Sequence, residues 1–113
     1  MLAKINRLTK KGVIRVKKSK IKIYSPGLLL LVQKRALSSS PPRIAIIVSK
    51  KTARLATDRN TIKRQIKSTI IANLSVFPQG KDLLFLVSKK YASFHLKQKQ
   101  ESIISVITKS TKT

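Results

Sequence analysis

The chain has 113 residues, enough for one domain with a single modest core, and 42% of them are hydrophobic, which supplies that core. Twenty-six lysines and arginines stand against three acids, Asp58, Asp82 and Glu101, for a net charge of +23, so the surface cannot neutralise itself and its natural partner is a polyanion, nucleic acid first. The longest aliphatic run, residues 28–32, has five residues against the roughly twenty that a membrane-spanning helix needs. No apolar stretch follows the basic N-terminus to make a secretory signal, and the lack of cysteine leaves neither a disulfide framework nor a thiolate metal site, so a cytoplasmic, reducing setting is expected.

In chain order, residues 8–18 mix lysines with Leu8, Val13, Ile14 and Val16. This reads as a short helix that Thr9 can cap and that Gly12 weakens by up to about 1 kcal/mol. Ile21 and Ile23 alternate with lysines in the strand period, Ser25-Pro26-Gly27 turns the chain, and residues 28–33 form an aliphatic strand. Ser38-Ser39-Ser40-Pro41-Pro42 is a loop, and the β-branched run 43–48 is a third strand. From Asp58 the period changes: Ile62, Ile66, Ile70 and Asn73/Leu74 recur at helical spacing, with Asp58 placed to cap the first turn and Pro78 and Gly80 to end the helix. Residues 83–87 form a fourth strand, and Leu96, Ile103, Ile104 and Ile107 mark a last amphipathic helix behind Ser93 or Phe94. The order αβββαβα predicts a two-layer α+β sandwich, one domain over 1–113, with about 1–5 and 109–113 flexible.

Catalytic side chains are scarce. One histidine, His95, and three scattered carboxylates give no acid–base pair, and His95, at the head of the last helix with Lys97 and Lys99 nearby, reads as a solvated or capping residue. A Mg²⁺ site built of protein carboxylates is disfavoured on so positive a surface, so no catalytic or metal-ligating residue is expected in the protein. The basic residues are better ordered. Arg59, Lys63 and Lys67 stand at i, i+4 and i+8 beside the isoleucine stripe, Asn60 and Arg64 broaden that ridge, and Lys50, Lys51 and Arg54 occupy the loop before it. Charge runs usually mark a solvated face, but here almost no acids are interleaved to form surface pairs. Free N–H groups at the helix start add a further preference for phosphate. A second concentration, Lys10, Lys11, Arg15, Lys17, Lys18, Lys20 and Lys22, is less specific, since an electrostatic arm would look the same. Five aromatics exist, Tyr24, Phe77, Phe85, Tyr91 and Phe94, of which Phe77 and Phe85 read as interior rather than as stacking platforms.

The stretch Arg43-Ile44-Ala45-Ile46-Ile47-Val48-Ser49-Lys50-Lys51, followed eight residues on by Arg59-Asn60-Thr61-Ile62-Lys63-Arg64, resembles the strand, Lys-Lys loop and Arg-Asn-x-x-Lys-Arg helix of the protein component of bacterial ribonuclease P. Asn6-Arg7-Leu8, Ser25-Pro26 and residues 78–87 resemble flanking parts of that family, so the likeness spans roughly residues 6–108. It implies a four-stranded sheet with a left-handed βαβ crossover, similar to the second domain of ribosomal protein S5 and to a domain of elongation factor G. It also implies a protein that is not itself the catalyst: the partner RNA, with Mg²⁺ held mainly by that RNA, removes the 5′ leader of precursor tRNA. The protein would grip the catalytic RNA through Lys50, Lys51, Arg54, Arg59, Asn60, Lys63, Arg64 and Lys67. It would hold the leader in a cleft between the first helix and the sheet, at Val13, Lys17 and Leu31, with no membrane and no obligate protein partner.

The chain departs from the family pattern at Thr61, at Lys67-Ser68, and at Val13, Lys17 and Leu31, where aromatics occur in relatives. The cleft should therefore hold its strand more by charge and aliphatic contact than by stacking, and lysine in place of arginine keeps charge but loses the bidentate phosphate fork. The alternative is a ribosomal or ribosome-assembly protein binding structured rRNA, which composition alone does not separate.

Overall fold

A computed structural model describes residues 6–25, 27–34, 41–77, 79–92 and 95–111. Its elements are α1 (Lys10–Lys17), β1 (Ile21–Ser25), β2 (Leu28–Lys34), β3 (Arg43–Val48), α2 (Ala56–Ala72), β4 (Lys81–Val87), a single turn α3 (Lys89–Ala92) and α4 (Leu96–Thr111), with a 3₁₀ turn at Leu74–Val76. The expected αβββαβα order is present, with the two short turns added. Pro26, Ser38, Ser39, Ser40, Pro78, Ser93 and Phe94, each given a turn, loop or cap role above, lie outside the described residues, as do 1–5 and 112–113. Helix α4 runs on through Thr111.

The four strands form one sheet in the order β1-β2-β4-β3, antiparallel except for the parallel pair β3–β4 that α2 connects. Strand β4 is central and buried on both faces, which is why residues 83–87 are continuously apolar rather than alternating. On one face Ile62, Ile66 and Ile70 of α2 and Ile103, Val106 and Ile107 of α4 pack onto Leu30, Val32, Leu83 and Phe85. Those isoleucines are the helical stripe of the sequence, and their burial, at about 1.5–3 kcal/mol per side chain, is the main force holding both helices.

Of the described helices, α1 alone packs on the opposite face. Val16 packs against Leu31 and Leu84, with Leu8 and Val13 at the edges of this smaller cluster. Thr9 does cap α1, its Oγ1 accepting from the Gly12 N–H at 3.2 Å. The preceding residues run beside the edge strand β3: Arg7 bridges Ile44, the Leu8 N–H donates to the Ile44 carbonyl, and buried Asn6 donates from Nδ2 to the Pro42 carbonyl at 2.8 Å.

Helix α2 begins earlier than its pattern suggests. Leu55 is the N-cap, in extended conformation and without a side-chain cap bond, and Asp58 lies inside the first turn. Asp58 is therefore not the cap; its charge instead sits where the helix dipole is positive. Gly27 holds φ +82°, and a Cβ there would meet the Tyr91 backbone at 2.8 Å, so only glycine fits this turn without strain.

Candidate nucleic-acid interface

At the C-terminal end of β3 the chain makes a tight turn that presents Lys50 and Lys51 to solvent. Thr52 builds it. Its N–H donates to the Ser49 carbonyl at 3.1 Å, and its buried Oγ1 donates to the Val87 carbonyl at 2.8 Å. The lysine pair is thus fastened to the end of the central strand. Thr52 was absent from the sequence-derived set, although the Ser-x-x-Thr spacing around two lysines is a recognisable side-chain turn signal.

Arg59 joins this turn to α2. Its Nη1 donates to the carbonyls of Ala53 and Arg54, both at 2.9 Å, and its side chain is half-buried. These bonds supply the order that a side-chain cap would otherwise give the helix start. They also make Arg59 a brace for residues 50–54, whereas Asn60, Arg64 and Lys67 are exposed.

Along α2 those residues share one face. Asn60, Lys63, Arg64, Lys67, Ser68 and Ile71 line an open groove of about 620 Å³. Lys63 and Lys67 also border a second groove of about 450 Å³, with Arg7, Ile44 and Ile46 opposite. Among the described residues, Lys63, Arg64 and Lys67 make no ion pair or side-chain hydrogen bond, so their charge is available to an external anion. The ridge read from the sequence is therefore assembled, continuous through Arg59 with the lysine loop, and shaped as a concave basic strip suited to a phosphate backbone.

The acids contribute little to this surface. Asp82, 1% exposed, accepts two bonds from Arg43, at 2.9 Å from Nε and 2.8 Å from Nη2, at the far end of the sheet. That hydrogen-bonded carboxylate raises the Arg43 pKa. No three His, Cys, Asp or Glu side chains among the described residues come together. His95 is exposed, in keeping with the solvated reading, and it is its backbone N–H, not its imidazole, that donates to Gln98 Oε1 as α4 begins. No described helix is long and apolar enough to cross a membrane.

Comparison with known proteins gives this geometry its context, because a profile of the ribonuclease P family matches residues 2–111. The chain belongs to the ribonuclease P protein family. A ribonuclease P protein component from Prochlorococcus marinus (strain MIT 9301) is 31% identical over 75 residues, which are 66% of this chain and 58% of that relative. The ribonuclease P protein of Thermotoga maritima superposes with a TM-score of 0.80 at 21% identity, covering 91% of this chain and 96% of that one. A Staphylococcus aureus ribonuclease P protein gives 0.81 at 22%, covering 95% and 96%. At such identities the structural likenesses speak to the α+β fold.

The three residues that the family resemblance would place in a leader cleft are not alike. Lys17 is exposed and Val13 half-buried on α1, but Leu31 lies beneath Val16 at 4% exposure and offers no open surface. Leu29, two residues earlier on the same face, is half-exposed.

Proposed function

We propose that this chain is the protein subunit of a ribonuclease P holoenzyme. In this reading it binds the catalytic RNA and the 5′ leader of precursor tRNA and promotes Mg²⁺-dependent endonucleolytic maturation of the tRNA 5′ end. The observation that carries the reading is the single basic strip formed by the Thr52-pinned Lys50-Lys51 turn, the Arg59 brace and the Asn60, Lys63, Arg64 and Lys67 face of α2. Such a strip lowers phosphate repulsion between catalytic RNA and substrate, and counterion release supplies the binding free energy. The protein contributes no acid or base. Nor do its carboxylates fit a resident Mg²⁺: Asp82 is bonded to Arg43, and Asp58 and Glu101 lie on different helices. The metal belongs with the RNA, and this chain's part is to position and screen. Work on tRNA precursors would be cytoplasmic.

The test is single-turnover cleavage of a precursor tRNA by the ribonuclease P RNA of the same genome at low Mg²⁺, with and without the protein. Cleavage at the mature 5′ end that depends on the protein is the expected result. Unchanged cleavage, together with co-sedimentation of the protein with ribosomal subunits at high salt, would overturn it in favour of an rRNA-binding role.

A further inference from the structure

Strand register lays three rows of side chains across the sheet face that α1 shares. Gln33, Asp82 and Arg43 form one row at the Arg43 end, and Lys22, Leu31, Leu84 and Ala45 form the middle row, over which Val16 sits. The third row, Tyr24, Leu29, Leu86 and Ile47, is left incompletely covered: the aliphatic members are half-exposed and Tyr24 is 64% exposed. Among the described residues Tyr24 is the single exposed aromatic, since Phe77, Phe85 and Tyr91 are all buried. An edge tyrosine this open adds little to the core, and the Lys109 Nζ bond to its backbone carbonyl holds the strand, not the ring.

We infer that Tyr24 is a base-stacking platform for single-stranded RNA, taken to be the 5′ leader, on an aliphatic row that extends from it toward the lysine turn. The inference rests on the proposed function but names a residue outside Val13, Lys17 and Leu31, on β1 and not on α1. Three observations converge. A flat aromatic with adjoining aliphatic side chains on an open sheet is a surface on which unpaired bases stack without regard to sequence. Neighbouring strands lie about 4.8 Å apart, so the row from Tyr24 to Ile47 spans roughly 14 Å, room for more than one nucleotide. The charge is of the right sign: Lys22 stands two residues away on the same face, and the turns leaving this end of the sheet carry Lys50, Lys51 and Lys89.

The test uses the holoenzyme assembled with its RNA and measures equilibrium affinity for a precursor tRNA with a six-nucleotide leader and for mature tRNA. Wild-type protein is compared with Tyr24→Ala and Tyr24→Phe. Loss of one stacked base predicts that Tyr24→Ala weakens precursor binding by about ten-fold, leaving mature tRNA unchanged, and that Tyr24→Phe retains the affinity. An abasic substitution at the stacked leader nucleotide should abolish the difference between wild type and Tyr24→Ala. Equal loss for precursor and mature tRNA, an unaltered leader preference in Tyr24→Ala, or a concentration-dependent dimer that the substitution dissolves would each overturn the inference while leaving the proposed function in place. A wild-type holoenzyme without leader preference would overturn both.

Discussion

Replacing Lys63, Arg64 and Lys67 together by alanine removes three cations from one face of α2 while leaving Ile62, Ile66 and Ile70 in the core. If each neutralises one phosphate, the slope of log binding constant against log salt should fall by about 2.7 on double-stranded RNA behaving like duplex DNA, or about 2.1 on single strands. Over a four-fold rise from 50 to 200 mM KCl this makes the wild-type affinity fall about 20- to 40-fold more than that of the variant. Fluorescence anisotropy of end-labelled ribonuclease P RNA, titrated with each protein at several salt concentrations, reads the slope directly. Lys97→Ala, an exposed cation on α4, should leave the slope within error of wild type. Parallel lines for wild type and triple variant, displaced but equally steep, would refute the reasoning, because they would mean that the three residues act through something other than phosphate charge.

Three further outcomes follow from the interior. Arg43→Met leaves the buried Asp82 carboxylate without its bidentate partner; because Arg43 is itself 27% exposed, the expected loss is about 2–3 kcal/mol and not the full cost of a fully buried pair, and an unchanged urea midpoint would contradict it. Arg59→Lys keeps the charge but cannot reproduce the planar double contact to Ala53 and Arg54, so amide exchange at residues 52–55 should quicken while the global melting temperature moves by only a few degrees. Exchange identical to wild type would remove the bracing role. Desolvation pushes the Tyr91 pKa up to about 12 from 10. A folded-state pKa above the unfolded one favours the neutral form, so its contribution is complete below pH 10 and is lost as pH rises from 10 through 12. Tyr91→Phe should therefore flatten the stability curve in that window, and the same alkaline decline in both proteins would count against it.

The strands and the two large helices were legible from local pattern: Ile62, Ile66 and Ile70 recur as one helix face, and the unbroken apolar run at 83–87 is long enough only for a strand buried on both sides. The basic ridge was legible for the same reason, since helical spacing fixes which charges share a face. What escaped depends on contacts between distant residues. Thr52 meets Val87 across 35 positions and Arg43 meets Asp82 across 39, and no local pattern encodes either pairing. The cap of α2 was misplaced because Asp58 satisfies the usual preference, whereas the helix starts two residues before it, at Ala56, on a loop braced by Arg59. Leu31 was placed in the cleft by the family resemblance alone, and which residues of that sheet face α1 covers depends on a helix–sheet contact that no local pattern encodes.

The strand order β1-β2-β4-β3 has a consequence for how the protein comes into being on the ribosome. The strand synthesised last lies second from the edge and is the sheet partner of both β2 and β3. Until residue 87 has left the exit tunnel, β1–β2 is the one pair of these strands that can form, and an isolated hairpin is marginal in water. The Lys50-Lys51 turn also waits, because Thr52 is tied to the Val87 carbonyl at the end of that strand. A nascent chain can thus attract RNA by charge early, but the shaped surface arises only once β4 is inserted, so folding comes before the fit to RNA.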